Sequence, residues 1–130
     1  MTINKITFST LVVLAGMTQL AYGQIKITAR QLDSLVARDQ TIQIVDVRTP
    51  GEVASGFIKK AIPIDYSTKD FSQKINQLDK SKPIIVYCAG GGRSGKSAIQ
   101  LKKLGFKQIY DLTGGMNDWK AKQKPVELAK

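Results

Sequence analysis

The sequence predicts an α/β domain: a central, mostly parallel sheet with helices on both faces. Three observations carry that expectation. Beyond residue 24, short apolar strand-like runs alternate with segments of helical spacing. One run, Ile84-Ile85-Val86-Tyr87, is continuously apolar, as strands covered on both faces are. Two helix-start signatures, Thr28-Ala29-Arg30-Gln31 and Thr49-Pro50-Gly51-Glu52, punctuate the pattern.

The elements follow in order. At Thr28 the capping box opens a helix whose Leu32, Leu35 and Val36 recur at helical spacing. "TIQIVDV" reads as a buried strand ending at Asp46 and Val47. The second capping box begins at Thr49, with Pro50 at the first helical position. "AIPID" is a short extended piece, and "DFSQKINQL" is helical through Phe71, Ile75 and Leu78. "KPIIVYC" is the central strand, and "SGKSAIQLKKLG" the helix after it, burying Ala98, Leu101 and Leu104 and ending on Gly105. "KQIYDL" is a further strand, and "GGMNDWKAK" opens a last helix. No repeat, low-complexity stretch or linker interrupts residues 24–130, so this span reads as one domain.

The first 23 residues stand apart. Lys5 precedes an apolar run from Ile6 to Ala15, and Ala21 and Gly23 supply small residues two apart. That is the pattern of a secretory signal peptide over residues 1–23, cleaved between Gly23 and Gln24. The chain is therefore expected to be exported, periplasmic or secreted, with no stable membrane insertion after cleavage. The apolar run is too short and too interrupted for a span of about 20 residues.

Charge narrows the partners. The chain has 20 Lys+Arg against 10 Asp+Glu, a net +10, and its field favours anionic ligands. The basic residues are spread along the chain, and its aromatics are not interleaved with a basic stripe, so no nucleic-acid partner is expected. Cys88 is the only cysteine, and there is no histidine. Triads of the Ser-His-Asp or Cys-His kind are excluded, and no zinc or haem ligand set can be assembled. No metal and no cofactor is expected.

Cys88 ends the central strand and faces Ala89, Gly90, Gly91, Gly92, Arg93 and Ser94. In parallel sheets ligands bind outside the carboxyl ends of the strands, where both Cys88 and Asp46 lie. Glycines let the backbone turn so that successive N–H groups converge into an anion-binding nest. Ser94 is expected to cap the following helix, whose positive end faces the same spot, while Arg93 and Lys96 add charge nearby. Such surroundings lower a cysteine pKa. Backbone and dipole can thus hold Cys88 as a thiolate without a histidine.

These residues resemble the rhodanese family of sulfurtransferases, and in particular its small single-domain, exported thiosulfate sulfurtransferases. The resemblance runs from about Ile25 to Val126 through "VDVRTPGEVASGFI", "VYCAGGGRS" and "LTGGMNDWK", in that order. It implies the rhodanese-like fold and a ping-pong reaction in which Cys88 takes a sulfur from an anionic donor such as thiosulfate, forms a persulfide, and passes it to cyanide or a thiol. The nest from Ala89 to Ser94 would hold the persulfide, and Arg93 would bind the donor. Asp46 is expected to bond loop N–H groups from beneath, and Arg48 either to pair with Glu52 or to stay solvated. Gly114, Gly115 and Trp119 are expected to serve turn and packing. Two positions depart from many relatives: Phe57, where His is common, and Lys60, where Gly or a small residue often stands. Both are expected near the rim of the site. Ala89 offers no charge, unlike its counterpart in some relatives.

Two other functions compete. Related phosphatases and arsenate reductases place five residues between cysteine and arginine; here Ala89, Gly90, Gly91 and Gly92 alone intervene, and the shorter loop favours a single sulfur atom. The other reading is a persulfide carrier or rhodanese-like binding module that serves a protein partner without turnover.

Overall fold

The computed structural model describes residues 23–130, so the signal-peptide reading lies outside the described residues. The element order is β1 (Ile25–Ile27), α1 (Ala29–Arg38), β2 (Gln43–Asp46), α2 (Pro50–Ala54), β3 (Ile62–Pro63), α3 (Phe71–Ile75), β4 (Ile84–Tyr87), α4 (Gly92–Lys103), β5 (Ile109–Leu112) and α5 (Gly115–Ala121). The five strands form one sheet in the order β1-β5-β4-β2-β3, and every pairing is parallel.

Each face of the sheet carries its own apolar cluster. On one face Val45, Val47, Ile84, Val86, Cys88 and Ile109 meet Phe71 and Ile75 of α3 and Ala98 and Leu101 of α4. On the other, Ile44, Ile85, Tyr87 and Leu112 meet Ala29 and Leu32 of α1 and Met116 and Trp119 of α5. β4 is buried along its whole length, the burial its continuous apolar run foretold.

Both capping boxes form as expected. Thr28 and Gln31 bond each other's backbones, and Thr49 and Glu52 do the same at α2. Each such cap stabilises its helix by about 1 kcal/mol. Gly105 follows the C-cap of α4 with φ +96°, the left-handed residue that closes a helix.

Three elements differ from expectation, the first being α3, which ends at Ile75 and stops short of Leu78. The three-residue strand β1 has too short an alternation, Ile25-Lys26-Ile27, to stand out in the sequence; it exists because β5 offers an edge, pairing Ile25 with Tyr110 and Ile27 with Leu112. Helix α4 starts two residues earlier than the serine expected to cap it, with Gly91 at φ +105° as the N-cap. Ser94 is then inside the first turn, fully buried.

The Gly114-Gly115 turn docks α5 against the end of β4. Met116 N–H donates to the Cys88 carbonyl at 2.9 Å and Asn117 N–H to the Ala89 carbonyl at 3.0 Å. A Cβ on Gly115, which has φ +56°, would lie 2.5 Å from those same two carbonyl oxygens. Only glycine fits, and the loop that begins at Cys88 is thereby braced from behind.

Candidate active site

Cys88 sits immediately beyond β4, with 1% of its surface exposed. Its Sγ accepts the Gly91 N–H at 3.0 Å and lies 3.6 Å from Ser94 Oγ. Burial alone would push the thiol up. The backbone N–H and hydroxyl of Ser94, with the backbone N–H groups of Gly91 and Arg93, outweigh it and hold the thiol below its ordinary value. The stabilising groups are those of a nest closed by the first turn of α4. Gly91 is fixed there as well: a Cβ on it would meet the Thr113 carbonyl oxygen at 2.5 Å.

Ser94 does not cap the helix. Its hydroxyl donates to the Gly91 carbonyl at 3.1 Å. The expected role passes to Gly91, whose φ no L-side chain adopts readily. Ala89 is partly buried and Gly90 exposed, so the mouth of the loop is lined by small groups.

Arg93 is not free to face the nest. It forms a two-pronged pair with Glu52 of α2, Nη1 to Oε2 at 2.7 Å and Nη2 to Oε1 at 2.8 Å. That pairing raises the arginine pKa further, and Cys88 and Asp65 add to the same direction. The Arg93 guanidinium in turn holds the Glu52 carboxyl at about 2, against an ordinary 4.5. Since the folded value is depressed, this pair's contribution to stability is complete above about 4.5 and is lost as the pH falls towards 2. Both side chains are about a third exposed, so the contribution is small. The melting-temperature difference between wild type and Glu52→Gln is expected to be constant above pH 5 and to shrink steadily below about 4.5. A difference that held constant down to the acid end would show that the pair contributes nothing.

Asp46 and Arg48 also depart from expectation. Asp46 bonds none of the N–H groups of residues 88–94; it accepts from the Arg48 backbone at 3.1 Å, from Arg48 Nη2 at 2.6 Å and from the Tyr87 hydroxyl at 2.7 Å. Arg48 neither pairs with the Glu52 carboxylate nor stays solvated. It is buried, and it donates from Nη1 to the Glu52 backbone carbonyl at 3.2 Å and from Nη2 to that of Gly56 at 2.7 Å. The acceptor for Arg48 is thus the carboxylate two residues before it, a separation at which buried side chains leaving one strand end can meet. Burial works against the charge on Arg48, but Asp46 more than offsets it and the pKa rises. Tyr87, raised by burial and by Asp46, completes the cluster and accepts the Ile58 N–H at 3.1 Å. The cluster therefore supports the residue before Cys88 rather than the loop after it.

Lys96 is exposed and does not reach the sulfur; with Lys26, Gly90, Gly91, Gly92 and Asp111 it lines a cavity of about 430 Å³ beside the first turn of α4. The nest itself, not a second cation, supplies the positive potential.

Comparison with known proteins agrees with this arrangement. The rhodanese-like domain family matches residues 28–122. The chain belongs to that family. Rhodanese relatives include the thiosulfate sulfurtransferase GlpE of Coxiella burnetii, 34% identical over 87 residues that cover 66% of this chain and 78% of that protein. Another is the tRNA uridine(34) hydroxylase of Pelagibacter ubique, 37% identical over 79 residues, 60% of this chain. The chain spans 26% of that hydroxylase's length and 64% of a Bacillus subtilis relative. Among solved structures, a rhodanese-related protein from Thermoplasma volcanium superposes with a TM-score of 0.71 at 31% identity, over 81% of this chain and 99% of that one.

The two departures from common rhodanese residues both lie beside the C-terminal tail. Phe57 pairs by backbone with Glu127 of the C-terminal tail, at 2.9 and 2.8 Å. Lys60 lines an apolar groove of about 470 Å³ with Leu32, Ile58, Trp119 and Val126, and no residue of the 88–94 loop borders it. Lys60 has φ +67°, the left-handed conformation that explains why glycine suits the position.

Proposed function

We propose that this rhodanese-like chain is a sulfurtransferase that moves sulfane sulfur from thiosulfate to a thiophilic acceptor through a persulfide on Cys88. The observation that carries the reading is the cradle around Sγ: a buried thiol at a strand end, held below its ordinary pKa by converging N–H groups at the start of α4. In the first half-reaction the Cys88 thiolate attacks the outer sulfur of thiosulfate. A new S–S bond forms to Cys88, the S–S bond of the donor breaks, and sulfite leaves with the electron pair. The terminal sulfur carries the negative charge and takes the nest's hydrogen bonds.

In the second half-reaction the acceptor's lone pair attacks that terminal sulfur. Cyanide becomes thiocyanate, or a thiolate becomes a persulfide, and the Cys88 thiolate returns. Backbone donors suit both halves, since they stabilise a thiolate and a persulfide alike and need no proton of their own to move. The sulfurtransferase relatives support the reaction class.

Thiosulfate alone is expected to add the mass of one sulfur atom to the protein, cyanide to remove it, and the two together to sustain many turnovers per chain. A chain that loads one sulfur and never turns over would be a carrier for a partner protein instead. No sulfur uptake at all would overturn both.

A further inference from the structure

Two arginines of the site region are paired to carboxylates, and the two pairs are built differently. Arg48 and Asp46 are 3% and 0% exposed, so neither can leave the other without stranding a buried charge. Arg93 and Glu52 are 32% and 36% exposed, and water can take the place of either partner. The carboxylate of this second pair is also anchored without its arginine. Glu52 Oε2 accepts the Thr49 N–H at 3.0 Å and the Thr49 hydroxyl at 2.9 Å, within the capping box of α2. Arg93 is therefore the partner that can move, while Glu52 stays on the first turn of its helix.

Arg93 also stands where a donor must arrive. In the chain it lies between Gly91, whose N–H reaches Sγ at 3.0 Å, and Ser94, whose hydroxyl is 3.6 Å from it. Asp65, another carboxylate whose charge bears on Arg93, is engaged by the N–H and hydroxyl of Ser67 at 2.8 and 2.7 Å. Glu52 is the one that occupies the guanidinium, with one oxygen on each Nη.

We infer that Glu52 is a specificity-determining residue of this site: it fills the Arg93 fork as a built-in competitor, and an anionic donor binds by displacing it. The inference rests on the reading of Cys88 as the thiol that takes sulfur from thiosulfate. Thiosulfate offers the fork what a carboxylate offers, a pair of negatively charged oxygens, and its outer sulfur stays free for Cys88. The exchange replaces one charge-assisted pair by another, so the arginine adds little net affinity while Glu52 is present. Because Arg93 holds the Glu52 carboxyl at about 2, protonation does not open the pair near neutral pH, and a competing anion must. A donor without such oxygens leaves the pair intact and is indifferent to Glu52. The pair thus sets how far the site favours oxyanion donors over other sulfane-sulfur compounds.

Steady-state kinetics of the whole protein with thiosulfate and cyanide test the competition. Glu52→Gln keeps an oxygen for the Thr49 N–H and removes the charge that Arg93 now meets. Its kcat/KM for thiosulfate is expected to rise roughly three- to fivefold, the factor that releasing an exposed pair allows. The kcat/KM for cyanide, which reports the other half-reaction, should change less. In an Arg93→Ala background the gain from Glu52→Gln should fall to less than half. Calorimetric titration of thiosulfate into the Cys88→Ser chain reads donor binding without sulfur transfer, and there Glu52→Gln should tighten binding by a similar factor. A kcat/KM and an affinity for thiosulfate that both stay unchanged or fall would overturn the inference. An undiminished gain without Arg93 would overturn the route through the guanidinium. If wild type takes up no sulfur while Glu52→Gln still tightens thiosulfate binding to the Cys88→Ser chain, the competition stands and the sulfurtransferase reading falls.

Discussion

Cys88→Ser is expected to fold and to transfer no sulfur. The alcohol is far too weakly acidic for the nest to ionise at neutral pH, and a neutral hydroxyl does not displace sulfite from thiosulfate. The fold should tolerate it, since Oγ is smaller than Sγ and keeps the Gly91 N–H and the Ser94 hydroxyl as partners. Exchanging a thiol for a hydroxyl inside the apolar cluster costs about 1 kcal/mol when the hydroxyl is hydrogen-bonded. Mass spectrometry after thiosulfate treatment should show no added sulfur, turnover with cyanide should fall to the uncatalysed rate, and the melting curve should stay cooperative. A serine chain that still gains sulfur would place the acceptor atom elsewhere.

That outcome would separate what the nest does from what the sulfur does, and the two were not equally legible in the sequence. The strand end and the glycines are local properties, readable in eleven consecutive residues, and they led to Cys88 and its backbone cradle. Capping boxes are local too, which is why Thr28 and Thr49 were found. The partners of long side chains are not local. Arg93 was expected to face the donor, but Glu52, 41 residues away, meets its guanidinium on both prongs because α2 packs beside the loop. Arg48 had a nearer carboxylate than the one expected, and burial decided between them. The edge strand β1, three residues long, has no signature of its own and exists by pairing with β5.

Arg48→Met should produce the largest loss of stability. Asp46 has no exposed surface, and in wild type Arg48 Nε and Nη2 give it hydrogen bonds at 2.9 and 2.6 Å. Methionine keeps an unbranched apolar stem like that of arginine but supplies neither charge nor donor. The carboxylate would keep only the Tyr87 hydroxyl and the backbone N–H of residue 48, and the carbonyls of Glu52 and Gly56 would lose the donors they now share. Breaking a buried ion pair on one side costs about 3–5 kcal/mol, most of it the uncompensated charge left behind. For a domain of this size that corresponds to a fall of roughly 15 °C or more in melting temperature. Arg48→Lys should lose less, since a single ammonium can reach Asp46 but cannot also reach both carbonyls. Adding Asp46→Leu to Arg48→Met should recover part of the loss, because the orphaned charge is removed. The damage should reach the site through Tyr87, whose hydroxyl bonds Asp46 and which directly precedes Cys88. Sulfur transfer by Arg48→Met should therefore fail on warming well before that of wild type, in step with its melting curve. If Arg48→Met melted within a degree or two of wild type, the buried pair would be doing no more for the fold than an apolar side chain could.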